Sequence, residues 1–384
     1  MRTKLSRSRR GLTTLAGATA AAFVLAACSS ASEPVSTDAD AGAEEEVATS
    51  EEQTATASRI DYPAGTPLAA AAAGQCVDLG KDISEMEIAY LPPATEFNYY
   101  LAIGAGIEAL AAENGMAYSL VAPAKDNPAE QVGMIQDITT RGVDMIIMST
   151  HDPGAAAPVI EAAVEQGIQV HLVNSDIPDF PTPVNSVVGY LQRAGDTKVG
   201  EYAVALADGA EVYYGILEGA PGYHNDERSG GWREGVASAS NFIEATSVVG
   251  GWNVDGGNAA AMDMLQAHPE ITVIFAANDY MAQGAVQAAK ALGRDDILIY
   301  GNDGDVNSGL EEIAAGNIQA TLDTSPYAMG QIALQVAIDC ATGDFAGGEF
   351  IESPGTVVDG SGVLSILCEP DKLFPKPNQE YSCN

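Results

Sequence analysis

From Ser84 onward, short apolar runs alternate with longer Ala-rich stretches whose apolar residues recur at helical spacing. The runs Met86–Leu91, Tyr118–Ala122, Met145–Met148, Ile168–Val173 and Val184–Val188 have the length of buried strands. The stretches Tyr99–Asn114, Pro128–Arg141 and Gly154–Gln166 between them predict helices. The helix ends agree: Asn127 precedes Pro128 as an N-cap precedes an N1 proline, and Gly115 and Gly167 stand where left-handed residues close helices. Alternation of this kind buries each strand on both faces, which calls for a parallel sheet with helices above and below.

A second set of the same build follows. Strands are expected at Glu211–Leu217, Thr246–Val249, Thr272–Ala276, Ile297–Tyr300 and Ile318–Leu322. Helices are expected at Arg193–Ala207, Asp226–Ser240, Gly257–His268, Asp279–Leu292, Val306–Gly316 and Pro326–Thr342. The predicted fold class is therefore α/β, with two doubly wound, Rossmann-like lobes built on parallel sheets. Nucleotide loops are missing: no G-x-x-x-x-G-K-[ST] occurs, and Gly104-x-Gly106 falls inside a helix pattern.

The first 75 residues break this rhythm. Five of the 17 basic residues (Arg2, Lys4, Arg7, Arg9, Arg10) precede a mildly apolar run, Leu12–Ala27, that ends in Leu25-Ala26-Ala27-Cys28. This is the build of an export signal over residues 1–27. The run is too short for a bilayer span, which takes about 20 residues. Leu-Ala-Ala-Cys resembles a bacterial lipobox, in which Cys28 is lipidated and becomes the mature N-terminus. Ser8-Arg9-Arg10-Gly11-Leu12 also resembles, loosely, a twin-arginine signal. Residues 28–75 then read as an acidic, disordered tether, with eight acids between Glu33 and Glu52. Such a chain of about 50 residues spans roughly 40 Å.

The tether and signal reshape the charge. The full chain of 384 residues carries 53 acids and 17 bases, a net charge of −36. Loss of the signal removes five bases and no acids, leaving −41, and the tether acids account for eight of those. A body near −33 excludes general nucleic-acid binding and docking on anionic lipid through a basic patch. Cys76, Cys340, Cys368 and Cys383 form an even set in an exported chain, which suggests two disulfides that staple the termini to the body. Three connectivities are open. No C-x2-C spacing is present and the four His are scattered, so no metal and no cofactor are expected.

Ligands of open α/β sheets bind at the carboxyl ends of the strands. The residues that follow the predicted strands are Glu96, Phe97, Asn98, Tyr99 and Tyr100; Thr150, His151 and Asp152; Asn174, Ser175 and Asp176; Tyr223, His224, Asn225 and Arg228; Trp252 and Asn253; Asn278 and Asp279; and Asn302 and Asp303. Rings can cover the C–H faces of a sugar, and carboxylates, amides and a guanidinium can pair its hydroxyls. Trp232 lies a turn beyond Arg228, further from the strand end, and is expected in the core, whereas His151 and His224 are expected at the rim.

Here the chain resembles the periplasmic sugar-binding proteins of ABC transporters, of the ribose/galactose-binding type. The resemblance spans about residues 84–367. Asp126-Asn127-Pro128-Ala129-Glu130-Gln131-Val132, Arg141-Gly142-Val143-Asp144, Phe275-Ala276-Ala277-Asn278-Asp279, Gly301-Asn302-Asp303-Gly304 and Ser325-Pro326-Tyr327-Ala328-Met329-Gly330 carry it. It implies lobes at 84–188 with 326–352 and at 192–323 with 353–367, a three-strand hinge and a tail at 368–384. By position it makes Tyr99 and Tyr100 stacking rings and Arg228 the grip on sugar oxygens. Trp252 becomes the opposing ring, Asn278 the amide and Asp303 the carboxylate. The ribose-type Asp-Arg pair is replaced by Asn174-Ser175, followed by Asp176, and the hinge glutamine by Thr324, which puts simple ribose specificity in doubt.

The expected function is capture of a neutral monosaccharide or polyol and its delivery to an ABC permease. The carrier would be a single-copy lipoprotein on the outer face of the cytoplasmic membrane. A signal receptor of the same fold, for an autoinducer or in chemotaxis, is the second expectation. An enzyme is not expected, because no nucleophile motif such as G-x-S-x-G is present. The acidic body argues against an anionic ligand.

Overall fold

A computed structural model describes residues 59–383. In chain order, its first part runs β1 (Thr66–Pro67), β2 (Glu87–Leu91), α1 (Asn98–Glu113), β3 (Ala117–Leu120), α2 (Pro128–Arg141), β4 (Met145–Met148), α3 (Pro153–Glu165), β5 (Gln169–Val173) and β6 (Ser186–Gly189). The second part runs α4 (Gln192–Ala207), β7 (Val212–Glu218), α5 (Tyr223–Val236), β8 (Phe242–Val249), α6 (Val254–Ala267), β9 (Ile271–Ala276), α7 (Asp279–Leu292), β10 (Leu298–Asp303), α8 (Glu311–Ala314) and β11 (Ala320–Asp323). The chain finishes with α9 (Pro326–Thr342), β12 (Glu349–Glu352), β13 (Thr356–Asp359) and α10 (Val363–Leu367).

Two sheets result among the described residues. One has the order β1-β12-β6-β5-β4-β2-β3, the other β13-β11-β10-β9-β7-β8. The chain passes between them after β6, between β11 and α9, and between β12 and β13. Interior strands are buried on both faces and mostly apolar: Met145–Met148 and Gln169–Val173 are wholly buried, the latter with Gln169 and His171 among its residues. The sheets are not purely parallel, as the strand–helix alternation predicts, but mixed. β1 pairs antiparallel with β12, and β13 antiparallel with β11, each at an edge. These strands have two to four residues, too few for a hydrophobic period to register. The helix expected over Val306–Gly316 is a π-helical turn, Val306–Leu310, running into α8.

Glycines set the helix packing. A Cβ on Gly106 of α1 would lie 2.0 Å from the Tyr327 carbonyl oxygen, and one on Gly330 of α9 2.0 Å from that of Ile103. Gly106 thus serves a backbone-to-backbone helix crossing, while Gly104 faces the Tyr90 ring. Trp232 is fully buried in the second lobe and stacks on Phe275, with centroids 4.8 Å apart and planes 9° from parallel.

Packing begins at the first described residue, so residues 59–75 are not the flexible chain expected of them. Arg59 makes a two-pronged bond to Asp339 on α9, at 2.7 and 3.0 Å. The Tyr62 hydroxyl donates to the same carboxylate at 2.6 Å, and Leu68 and Ala72 are buried. Apolar residues spaced among many alanines hid this segment from the pattern. The export signal, Cys28 and the acidic stretch lie outside the described residues. Cys76 pairs with Cys340 on α9, which staples the N-terminal segment to the body. Cys368 pairs with Cys383, closing a loop within the tail instead of reaching the body. The tail is held by Asn378 and Tyr381, which donate to Glu311.

The Cys76–Cys340 bridge spans 264 residues of sequence. A Cys76→Ser, Cys340→Ser double variant should lose about 2–5 kcal/mol of stability, because a long loop is freed in the unfolded chain. Urea unfolding under non-reducing conditions measures this, and an unchanged midpoint would reject the clamp.

Candidate functional site

The carboxyl ends of both sheets face one cleft. Its empty volume, open solvent included, is about 410 Å³. From the first lobe it is lined by Phe97, Tyr99, Tyr100, His151 and Asn174. The second lobe contributes His224, Arg228, Trp252, Asn278, Tyr280 and Asp303.

The first-lobe wall is uncharged and largely self-bonded. Tyr99 and Tyr100 occupy the first turn of α1, which starts just beyond β2. The Tyr99 hydroxyl donates to Asn174 Oδ1 at 2.9 Å, and Asn174 Nδ2 donates to the Tyr100 oxygen at 3.4 Å. Tyr100 in turn bonds His151 Nε2 at 3.0 Å, while His151 Nδ1 meets Asp126 at 2.8 Å. A carboxylate only accepts, so His151 Nδ1 is the donor to Asp126. Asn174 adopts φ +57°, a left-handed conformation that asparagine tolerates.

The second-lobe wall is organised by a buried ion pair. Arg228, on the second turn of α5, is 4% exposed, as is Asp303 at the end of β10. Arg228 Nη1 donates to Asp303 Oδ1 and to the Ala277 carbonyl, both at 2.8 Å, and Nε donates to Gln192 Oε1 at 3.2 Å. Nη2 has no hydrogen bond among the described residues. Burial opposes the guanidinium's charge, but Tyr190, Asp303 and Asp196 outweigh it and raise its pKa further. Burial pushes the Asp303 carboxyl up, and Arg228 pulls it back. The guanidinium carbon lies 5.4 Å from the Trp252 ring centroid and 5.8 Å from that of Tyr190, in cation–π range.

Strained backbone holds these groups. Trp252 has φ +67° and Asp303 φ +137°, both unusual for residues with a Cβ. Thr324 fixes Asp303 by donating its N–H and its hydroxyl to the Asp303 carbonyl, at 3.1 and 2.8 Å. A Cβ at Gly219 would lie 2.0 Å from Trp252 Cζ2, so only glycine lets the indole lie there. Beneath the loop, buried Asp279 accepts from Gly304 N, Asp305 N and the Thr321 hydroxyl at 2.6–3.0 Å.

Of the sequence-predicted residues, Tyr99, Tyr100, Asn174, Arg228, Trp252, Asn278 and Asp303 come together in the cleft. Asn278 lines it with its polar atoms already engaged: Oδ1 caps α7 through Met281 N, and Nδ2 holds the Trp252 carbonyl. Three others stand outside the lining. Exposed Asp152 caps α3 through Ala155 N. Asp176 accepts from the backbone and side chain of Gln192 and so supports Arg228 indirectly. Asn98 begins α1 and is half-buried beside the cleft. Phe97, Tyr280, His151 and His224 complete the lining. Tyr280 follows Asp279 in the first turn of α7, and its ring packs 6.0 Å from that of Phe97 across the lobes. The signal was its place one step beyond a strand-end pair.

Residues 88–344 match the family model described as "Periplasmic binding protein domain". The chain belongs to this family. It is therefore a solute-binding protein, not an enzyme, and it has the two-lobed architecture that the fold displays. It is 30% identical over 257 residues to the D-ribose/D-allose-binding protein of Pseudomonas aeruginosa, covering 64% of this chain and 79% of the relative. A ribose import binding protein of Bacillus subtilis is 28% identical over 250 residues, covering 64% of this chain and 78% of the relative. Among solved structures, an ABC transporter solute binding protein of Mycobacterium smegmatis with bound glycerol superposes with a TM-score of 0.67 at 25% identity. That match covers 78% of this chain and the whole of the other.

One buried group gives the site a pH signature. Asp196 of α4 is fully buried, with both oxygens accepting from Asn302 Nδ2 at 2.9 and 2.7 Å. Burial pushes its pKa up to about 8, against the pull of Arg228 and Asn302. A raised acid favours folding in its protonated form. Its contribution is therefore full below pH about 4, declines as pH rises, and is lost above about 8. Relative to Asp196→Asn, the native protein should lose stability steadily between pH 5 and 8 and then level off. Parallel pH–stability curves from urea titrations would refute this.

Proposed function

We propose that this chain is an exported, lipid-anchored receptor that captures one neutral monosaccharide or small polyol between its lobes and delivers it to an ABC importer. Arg228 carries this reading. It is buried, neutralised by Asp303 and covered by two rings, with one Nη2 face left toward the cleft. Because its charge is already balanced, it suits hydroxyl oxygens better than an anion. The trio Tyr99, Tyr100 and Trp252 supplies apolar faces for sugar C–H groups. The named relatives bind ribose or allose, and the structural relative holds glycerol. The Leu-Ala-Ala-Cys28 motif supports export and lipidation, and the protein acts as a single copy. Ligand that touches both walls favours the closed arrangement.

Asn174 stands where the ribose type has a charged pair, and Thr324 replaces the hinge glutamine. Asn174 accepts from the Tyr99 hydroxyl and Thr324 Oγ1 lies 2.8 Å from the same oxygen, so protein groups already fill the hinge side of the site. This supports a ligand other than simple ribose.

Titration calorimetry against neutral pentoses, hexoses and polyols, with sugar phosphates and sugar acids as controls, tests the reading. At least one neutral compound should bind, and binding of anions alone would overturn it. Trp252→Ala and Arg228→Lys should each weaken the neutral ligand by about 10- to 100-fold, through lost stacking and a lost guanidinium fork. Circular dichroism checks that both variants are folded. Undiminished affinity in both would reject the cleft assignment.

A further inference from the structure

A second cavity of about 450 Å³ adjoins the sugar cleft, and the two share His151, His224 and Trp252. The histidines come from opposite lobes. Their rings meet edge to face with centroids 6.3 Å apart and no hydrogen bond between them. They form a partition that can part without breaking a bond between its halves.

Each ring is held from behind. His151 is fixed by Asp126 and Tyr100. His224 Nδ1 faces Gln192 Oε1 at 2.9 Å, and the same oxygen receives Arg228 Nε. Arginine only donates, and Gln192 Nε2 donates to Asp176, so this Gln192 atom is the oxygen. His224 therefore carries its proton on Nδ1, and its Nε2 is an acceptor. That nitrogen has no partner among the described residues. The imidazole is kept neutral by desolvation first, then by Arg228 and His151, which lower its pKa.

Beyond the partition, Ile177, Pro221 and the Tyr223 ring provide apolar surface, while Thr150 and Asn225 are polar. The formal charge in its lining belongs to Asp126, already engaged by His151. The chemistry is again that of an uncharged, partly hydroxylated group.

We infer that this second cavity is a subsite for a substituent on the bound sugar, so that the receptor takes neutral glycosides, the sugar ring in the Arg228 compartment and its substituent beyond the His151–His224 partition. His224 Nε2 accepts a hydroxyl next to the linkage. The inference rests on the sugar-binding reading and adds a ligand class to it.

Each neutral pentose or hexose that binds the full-length protein in calorimetry is compared with its methyl and p-nitrophenyl glycosides. A glycoside should bind within about 10-fold of its parent sugar or more tightly. Ala220 lines only the second cavity. Ala220→Phe should leave the parent sugar's affinity unchanged and weaken the glycoside at least 10-fold. His224→Phe should weaken the glycoside more than the parent. Glycosides bound 100-fold or more weakly than the parent by the native protein, or an Ala220→Phe effect equal on both ligands, would overturn the subsite and leave the sugar reading intact. If neither sugars nor glycosides bind, the sugar reading itself fails.

Discussion

The Arg228–Asp303 pair is the constraint around which the second lobe is arranged. A guanidinium buried to this degree survives only if its charge is balanced and most of its donors are engaged. Asp303 supplies the balance, and the Ala277 carbonyl and Gln192 take two further bonds. Asp176 orients Gln192, and Thr324 pins the strained Asp303 backbone. Buried ion pairs add little net stability compared with apolar packing. On the proposed reading, this one is a preorganised binding face whose desolvation is borne by the fold before ligand arrives.

The two walls of the cleft divide the work. The charged groups that line the cleft, Arg228 and Asp303, belong to the second lobe, while the first offers rings and a hydrogen-bonded chain that runs from Tyr99 and ends on the Asp126 carboxylate. Contacts already cross the gap: the Tyr99 amide donates to the Tyr280 hydroxyl at 3.3 Å, which donates to Asp305 at 3.0 Å. Thr324, at the second passage of the chain, touches both the Tyr99 hydroxyl and the Asp303 carbonyl. The hinge and the cleft walls are thus in direct contact, and a shift in either is felt by the other.

Much of the site was legible because strand ends can be found from period alone. Arg228, Trp252 and Asp303 follow strands whose apolar runs are unambiguous. Asp152 and Asp176 follow strands equally well but spend their carboxylates on a helix cap and on Gln192. A capping acid and a ligand-binding acid have the same sequence signature, since both sit just before or just inside a helix. Tyr280 was passed over for the converse reason. Its neighbours Asn278 and Asp279 look more polar, yet one caps α7 and the other is buried beneath the loop.

By itself, the sequence determined the two α/β lobes, the residues that gather at their carboxyl edges and the acidity that disfavours anions. These follow from local periodicity and composition, which need no knowledge of distant partners. Tertiary structure alone decided the antiparallel edges of both sheets, the pairing of Cys76 with Cys340, and the folding of residues 59–75 onto α9. It also decided which polar groups remain free in the cleft. Such outcomes depend on contacts between residues far apart in the chain. A side chain is available to a ligand only when the folded protein has not already used its hydrogen bonds, and that count exists only in three dimensions.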